Sequence, residues 1–235
     1  MSMNNNELPF VKDMFDTIAP KYDFLNRSLS MRRDVYWRRM MVQSLNIPDG
    51  GRVLDVACGT CDVPLEIMKQ KKGLATVIGA DFSHGMLVLG KVKTENFREK
   101  ISLLAGNALL LPFPNNSFDG VSIAFGIRNI MDKEKAINSF YSSLNDGGSL
   151  AILELSTPTN KLFKFLYMLY FKKILPKIGA IFSKNNQAYS YLPDSVINFP
   201  SAEDFSKTIE SCGFKDVKHK KMTFGIVTLF TGRKN

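Results

Sequence analysis

Between residues 52 and 154 the chain alternates short β-branched or apolar runs with longer amphipathic stretches, and this alternation limits the fold more than any other feature. Strand candidates at 52–56, 75–80, 101–104, 118–124 and 149–154 are separated by helix candidates at 63–72, 83–93 and 133–144. Strands divided by helices pair in parallel, with helices covering both faces of the sheet. The third of these helices is read as ending in Asn145-Asp146-Gly147-Gly148, where glycine takes the left-handed conformation that closes a helix. After Glu154 the rhythm changes: an aromatic and basic stretch at 161–182 precedes a helix at 202–211 and two strand-like runs at 216–220 and 223–231. The expected architecture is α/β, a doubly wound parallel sheet finished by an antiparallel C-terminal hairpin. The region before Gly50 reads as helical, most clearly at 34–45.

Composition removes whole classes of alternative. With 45% hydrophobic and 23% charged residues over 235 positions, this is the make-up of an ordinary globular domain. Only Cys58, Cys61 and Cys212 are available, so a disulfide framework is not expected and a reducing compartment is. The start, MSMNNNELPF, lacks a cationic segment followed by an apolar core, so a cytoplasmic address is the expectation. The net charge of +9 is concentrated in two places. Residues 21–39 carry six basic and two acidic side chains, and residues 155–193 carry six lysines and no acid. The longest apolar stretch, 162–175, is interrupted by Lys164, Lys172 and Lys173, too short and too charged to span a bilayer but able to lie on one.

The run Val53-Leu54-Asp55-Val56-Ala57-Cys58-Gly59-Thr60-Cys61-Asp62 is a strand leading through small residues into a helix. Small side chains let backbone amides approach a ligand at the switch point of an open sheet. The dinucleotide pattern G-x-G-x-x-G is not met. Asp81 closes the next strand, 22 residues after Gly59, where a carboxylate accepts from the two hydroxyls of a ribose; its alternative reading is a helix N-cap or turn acid. Asn107 and Ala108 follow the third strand, where a side-chain amide and a backbone N–H address an adenine edge. Together these outline a nucleoside pocket. A pyrophosphate wants the full glycine turn, whereas an amino-acid tail tolerates a looser loop flanked by acids such as Asp55, so S-adenosylmethionine is favoured over a dinucleotide. A metal or redox role for Cys58-x-x-Cys61 lacks further ligands at matching spacing, since only Cys212, His84 and His219 remain.

These residues closely resemble the ubiquinone/menaquinone biosynthesis C-methyltransferases, over nearly the whole chain from Phe15 to Arg233. The resemblance rests on Met14-Phe15-Asp16, Ala19-Pro20-Lys21-Tyr22-Asp23, Asn26, Ser30 and Trp37, then on Leu54-Asp55-Val56-Ala57, Gly59-Thr60 and Asp62. Gly106-Asn107-Ala108, Leu111-Pro112-Phe113, Phe125-Gly126-Ile127-Arg128-Asn129, Gly147-Gly148 and Leu153-Glu154-Leu155-Ser156 continue it. It implies a class I S-adenosylmethionine-dependent methyltransferase fold, with a Rossmann-like seven-stranded sheet whose last strand is antiparallel. Within one domain it implies a helical lid at 1–49, a cofactor-binding core at 50–156, a substrate- and membrane-facing helical insertion at 157–200, and a closing helix and hairpin at 201–235. Thr60, Asp81, Asn107 and Ala108 are the implied cofactor contacts, joined by Asp55, Ala57 and Gly59 in the loop. Phe82, Met86 and Ala124 complete that set. Three positions depart from the family pattern: Cys61 replaces a glycine, Asp34 a histidine and Ala124 a serine.

The implied reaction is C-methylation of a polyprenylated demethylquinol. A ring carbon becomes nucleophilic when a neighbouring hydroxyl loses its proton, so the reduced quinol reacts and the quinone does not. Arg128 and Asn129 are expected to orient the quinol oxygens, with Tyr22 and Asp23 closing over the ring. A salt bridge from Arg128 to Asp132, and simple lid packing for Tyr22, are the alternatives. Phe163, Phe165, Tyr167, Tyr170 and Phe171, interleaved with lysines, suggest a peripheral contact with the inner face of an anionic membrane. A core helix with solvated lysines is the other reading. A second copy of the chain is an admissible partner. Nucleic acid is not expected, because Ala124-Phe125-Gly126-Ile127 lacks the Pro-Pro-aromatic element of base-amine methylation and no Cys follows a Pro. A non-catalytic scaffold that keeps the pocket for stability is the remaining alternative.

Overall fold

The computed structural model describes residues 7–170 and 187–235, with side chains described over 11–170 and 191–235. Seven strands form one sheet: β1 (Arg52–Val56), β2 (Thr76–Asp81), β3 (Ile101–Ala105), β4 (Phe118–Ala124), β5 (Leu144–Leu155), β6 (Lys215–Met222) and β7 (Val227–Arg233). Their order is β3-β2-β1-β4-β5-β7-β6. The first five pair in parallel, β7 runs antiparallel to β5, and β6 pairs antiparallel with β7 at the edge. The C-terminal hairpin is therefore present, with its second strand inserted against the sheet.

Eight α-helices are described: α1 (Glu7–Leu29), α2 (Arg33–Ser44), α3 (Asp62–Gln70), α4 (His84–Lys93), α5 (Lys133–Ser143), α6 (Lys161–Leu169), α7 (Gln187–Ile197) and α8 (Ala202–Ser211). Strands covered on both faces must be apolar at successive positions, and β1 is: Val53, Leu54 and Val56 are all buried. Leu54, Val121, Ile123, Ile152 and Phe230 pack with Phe140 of α5 and Phe205 of α8. Val53, Val77, Ala151 and Leu153 face the other way, onto Trp37 and Met41 of α2 and Ile67 of α3. Burial of each of these large side chains contributes about 1.5–3 kcal/mol.

One local expectation is corrected. Asn145-Asp146-Gly147-Gly148 does not close α5; Leu144, extended at φ −76 and ψ 142, ends that helix and already belongs to β5. Gly147 does take a left-handed φ of 78, but within β5, where its N–H donates to the Lys234 carbonyl. The aromatic stretch is helical over α6; the expectations for Phe171, Lys172, Lys173, Lys177 and Lys184 lie outside the described residues. No described helix is long and apolar enough to cross a membrane.

Candidate active site

The sheet order reverses between β1 and β4, and the strand ends there open into two adjoining cavities. The larger has a volume of about 700 Å³. Its floor is the loop after β1, where Ala57, Gly59 and Cys61 all have left-handed φ angles of 52, 53 and 68. The turn after β4 presses on this loop so closely that a Cβ at Gly126 would stand 2.7 Å from the Ala57 Cβ. Asp81 ties the loop down: one carboxylate oxygen accepts from the Gly59 N–H and the other from the Ser83 N–H, both at 2.8 Å. Burial pushes its pKa up, against those backbone donors. The helix-cap role belongs to Ser83, whose hydroxyl accepts from Met86 N–H at the start of α4. A carboxylate has about four lone-pair sites, so Asp81 retains acceptor capacity toward a ribose.

Ala57, Gly59, Asp81, Phe82, Met86, Asn107, Ala108 and Ala124 all line this cavity, as does Asn129. Asp55 and Thr60, expected beside a cofactor, are set back from its lining. Asp55 is buried behind the strand end, accepting from the Ser122 hydroxyl at 2.6 Å, and its second oxygen has no partner. Burial, eased by Ser122 and Arg38, raises its pKa to about 7. Thr60, 3% exposed, donates to Asp23 Oδ1 at 2.5 Å and accepts from Lys93 Nζ at 3.1 Å. Asp23, held by Thr60 and Lys93, lines neither cavity. Lys93 also meets Asp62, which in turn holds Arg27 and Arg38. Burial raises the Asp62 pKa, but Arg38, Lys93 and Arg27 outweigh it and hold it low. Much of the basic patch at 21–39 is thus committed to internal carboxylates.

α1 roofs the cavity. Asp16 accepts from the Ser83 hydroxyl and the Gly85 N–H, docking α1 on α4, and Phe15 meets Phe82 edge-on with centroids 6.3 Å apart. The far side of α1 walls the second cavity, about 180 Å³ and largely apolar. Ile18, Leu25 and Leu29 from α1, Trp37 from α2 and Tyr167 from α6 form its sides. Phe15, Tyr22 and Phe125 line both cavities and form the partition between them.

Arg128 lies in the second cavity, in the turn after β4. Its Nη1 stands 2.9 Å from Glu154 Oε1 and also donates to the Phe125 carbonyl, while Nε reaches Ser195 Oγ at 3.3 Å. The anticipated alternative partner, Asp132, instead caps α5 by accepting from the Lys135 N–H. Asn129 accepts from the Tyr191 hydroxyl at 3.1 Å. Burial raises the Tyr22 pKa, although Arg38 and Arg128 pull the other way, so its phenol keeps its proton at neutral pH. Sequence reasoning missed Phe15, Arg38 and Glu154 as parts of the site. Only Arg38 had a local signal, its i,i+4 spacing from Asp34 on a helix.

The chain matches the family model described as the ubiE/COQ5 methyltransferase family over residues 1–234. Among curated relatives, the ubiquinone/menaquinone biosynthesis C-methyltransferase UbiE of Geobacter sulfurreducens is 47% identical over 226 residues, covering 95% of this chain and 88% of that protein. The demethylmenaquinone methyltransferase of Staphylococcus saprophyticus is 38% identical over 234 residues, covering 100% of both. Among solved structures, a putative S-adenosyl-L-methionine-dependent methyltransferase of Methanococcus maripaludis superposes with a TM-score of 0.68 at 16% identity, covering 100% of this chain and 97% of that one. The [4+2]-cyclase SpnF gives 0.68 at 14% identity, with 95% of each chain covered. At those identities the likeness is one of fold alone.

Proposed function

The chain belongs to the ubiE/COQ5 methyltransferase family and is an S-adenosylmethionine-dependent C-methyltransferase; from that premise we propose that its acceptor is the ring of a polyprenylated demethylquinol, on the route to menaquinone, ubiquinone or both. The observation that carries this reading is the pairing of a nucleoside-sized cavity with an apolar one, separated by Phe15, Tyr22 and Phe125.

The donor cavity suits S-adenosylmethionine: Asp81 offers acceptors to ribose hydroxyls, and the loop after β1 keeps side chains short where the ligand's backbone-facing edge would lie. When bound, this donor supplies a methyl group on a positively charged sulfur. The protein's part is to orient the acceptor and manage its proton. Arg128, fixed by Glu154, donates to a ring oxygen and stabilises the anion formed there. Tyr22, protonated, is a further donor beside it. The apolar walls exclude water that would compete for the methyl. The ring carbon beside that oxygen forms the new C–C bond, the sulfur keeps the electron pair of the broken bond, and the ring hydrogen leaves as a proton. A quinone has no such nucleophilic carbon.

A polyprenyl tail requires a membrane surface. The exposed Leu162, Phe165, Leu166 and Leu169 of α6 fall at i, i+3, i+4 and i+7, beside Lys161 and Lys164, which supports peripheral docking on anionic lipid. The same helix presents Tyr167 to the acceptor cavity.

Transfer of an isotope-labelled methyl from S-adenosylmethionine to demethylmenaquinol and to the ubiquinol precursor, each tested reduced and oxidised in detergent, checks the reading. Label is expected only in reduced rings. Label in neither, with donor binding intact, would overturn the quinol assignment.

A further inference from the structure

The acceptor cavity carries two guanidinium groups on its wall, and the reaction as described uses one. The other is Arg38 of α2, 6% exposed and next to Trp37. Its Nη1 stands 2.6 Å from Asp34 Oδ2 and 3.4 Å from Asp62 Oδ2, and the guanidinium carbon lies 5.4 Å from the Phe125 ring centroid. Asp34 is itself held by the Ser30 hydroxyl at 2.8 Å. The Nε and Nη2 groups of Arg38 donate to nothing among the described residues, and neither is among the sealed, unpartnered polar atoms. Arg38 lines the cavity with these two donors uncommitted to any described residue.

Arg128 is built the same way from different elements. Glu154 holds its Nη1, Ser195 its Nε, and Nη2 has no partner among the described residues. Phe125 connects the two: Arg38 sits over its ring and Arg128 donates to its carbonyl. Tyr22 is close enough to feel both charges, since both arginines lower its pKa against the effect of burial. Each arginine is positioned by a buried carboxylate and keeps at least one free donor toward a small apolar space. A planar, preorganised fork of this kind recognises oxygen in a fixed direction.

We propose that Arg38 is a second acceptor-binding residue, donating to the ring oxygen remote from Arg128 so that both oxygens of a 1,4-quinol are met by a guanidinium. The assignment rests on the quinol reading above and adds to it a basis for selecting a ring with two oxygens. Asp34 and Ser30 are then positioning residues that aim Arg38.

The test is a cycle between enzyme and acceptor. Wild type, Arg38→Gln, Arg38→Lys and Arg128→Gln are assayed for methyl transfer to a short-tailed prenyl 1,4-naphthalenediol and to the monohydroxy counterpart that lacks only the oxygen remote from the methylated carbon. S-Adenosylhomocysteine affinity is measured in parallel, because Arg38 also contacts Asp62 beside the donor loop. Wild type is expected to lose roughly 10- to 100-fold in kcat/KM when the remote oxygen is removed. Arg38→Gln should lose that much with the diol and almost nothing more with the counterpart lacking the remote oxygen. Arg128→Gln, whose own ring oxygen is present in both acceptors, should lose the same factor with each. Arg38→Lys, which keeps the charge and the buried pair with Asp34, carries the same cycle if the glutamine variant does not fold. Equal losses of Arg38→Gln on both acceptors would overturn the assignment while leaving the quinol reading intact. Failure of the wild type to methylate the diol would overturn both.

Discussion

Arg128 and Glu154 form a buried pair in which one carboxylate serves both ends of the same residue: Oε1 meets the guanidinium at 2.9 Å and Oε2 accepts from the Arg128 backbone N–H at 3.1 Å. Glu154 is fully buried, so it fixes the turn after β4 as well as the side chain. The direction in which Arg128 points into the acceptor cavity is thereby set before any ligand arrives.

Replacing Arg128 by Gln is expected to lower turnover by about 100-fold or more, the usual cost of removing a donor from a developing oxyanion. Affinity for S-adenosylhomocysteine should stay within about twofold by calorimetry, since Arg128 does not line the donor cavity. Stripping the Glu154 charge of its partner should also cost about 3–5 kcal/mol of stability in urea unfolding. Normal turnover in the folded variant would remove Arg128 from the reaction.

Asp55 makes stability fall with pH. Burial lifts its carboxyl to about 7 in the folded chain, whereas the unfolded chain keeps the ordinary value of 3.8. The folded state therefore binds the proton more tightly, and stability is lost as pH rises between those two values and levels off above about 7. Denaturant midpoints measured from pH 4 to 8 should show this slope in the ligand-free wild type and a much flatter profile in Asp55→Asn. An identical slope in the variant would assign the effect elsewhere.

Cys61 and Gly90 form a matched pair. A Cβ at Gly90 would stand 2.6 Å from the Cys61 Sγ, so Gly90→Ala is expected to cost about 1–3 kcal/mol. Cys61→Gly removes the sulfur and relieves a left-handed φ of 68, so adding it to Gly90→Ala should recover most of the loss. Additive melting-temperature changes in the double variant would show that the two sites do not interact.

On α6, Phe165 is 65% exposed and Leu169 is 44% exposed, so changing both to Glu should leave thermal stability nearly unaltered. Flotation with anionic liposomes should fall sharply in this variant and, in the wild type, weaken with added salt. Equal flotation of the two proteins would exclude this face as the docking surface.

The parallel core was readable because strands covered on both sides are apolar at most positions, as Val53, Leu54 and Val56 are in β1 and Val121, Ile123 and Ala124 are in β4. The beginning of β5 was not, since Asn145-Asp146-Gly147-Gly148 has turn chemistry and is drawn into the sheet by partners as distant as Lys234. The strand-end loop and Asp81 were legible from their spacing. That Asp55 and Thr60 sit behind the cavity lining was not legible, because the loop between them turns through left-handed Ala57, a residue whose type carries no signal for that conformation. Glu154 is 26 positions from Arg128, a separation that no local pattern reports.

The double-sided placement of α1 sets a rule for redesign. Substitutions at Ile18, Leu25 or Leu29 alter only the acceptor chamber, and those at Val11, Lys12 or Asp13 only the donor chamber. Phe15 and Tyr22 belong to both, so a library that varies them trades one Michaelis constant against the other. Engineering a new acceptor preference should hold those two positions constant and vary the helix around them.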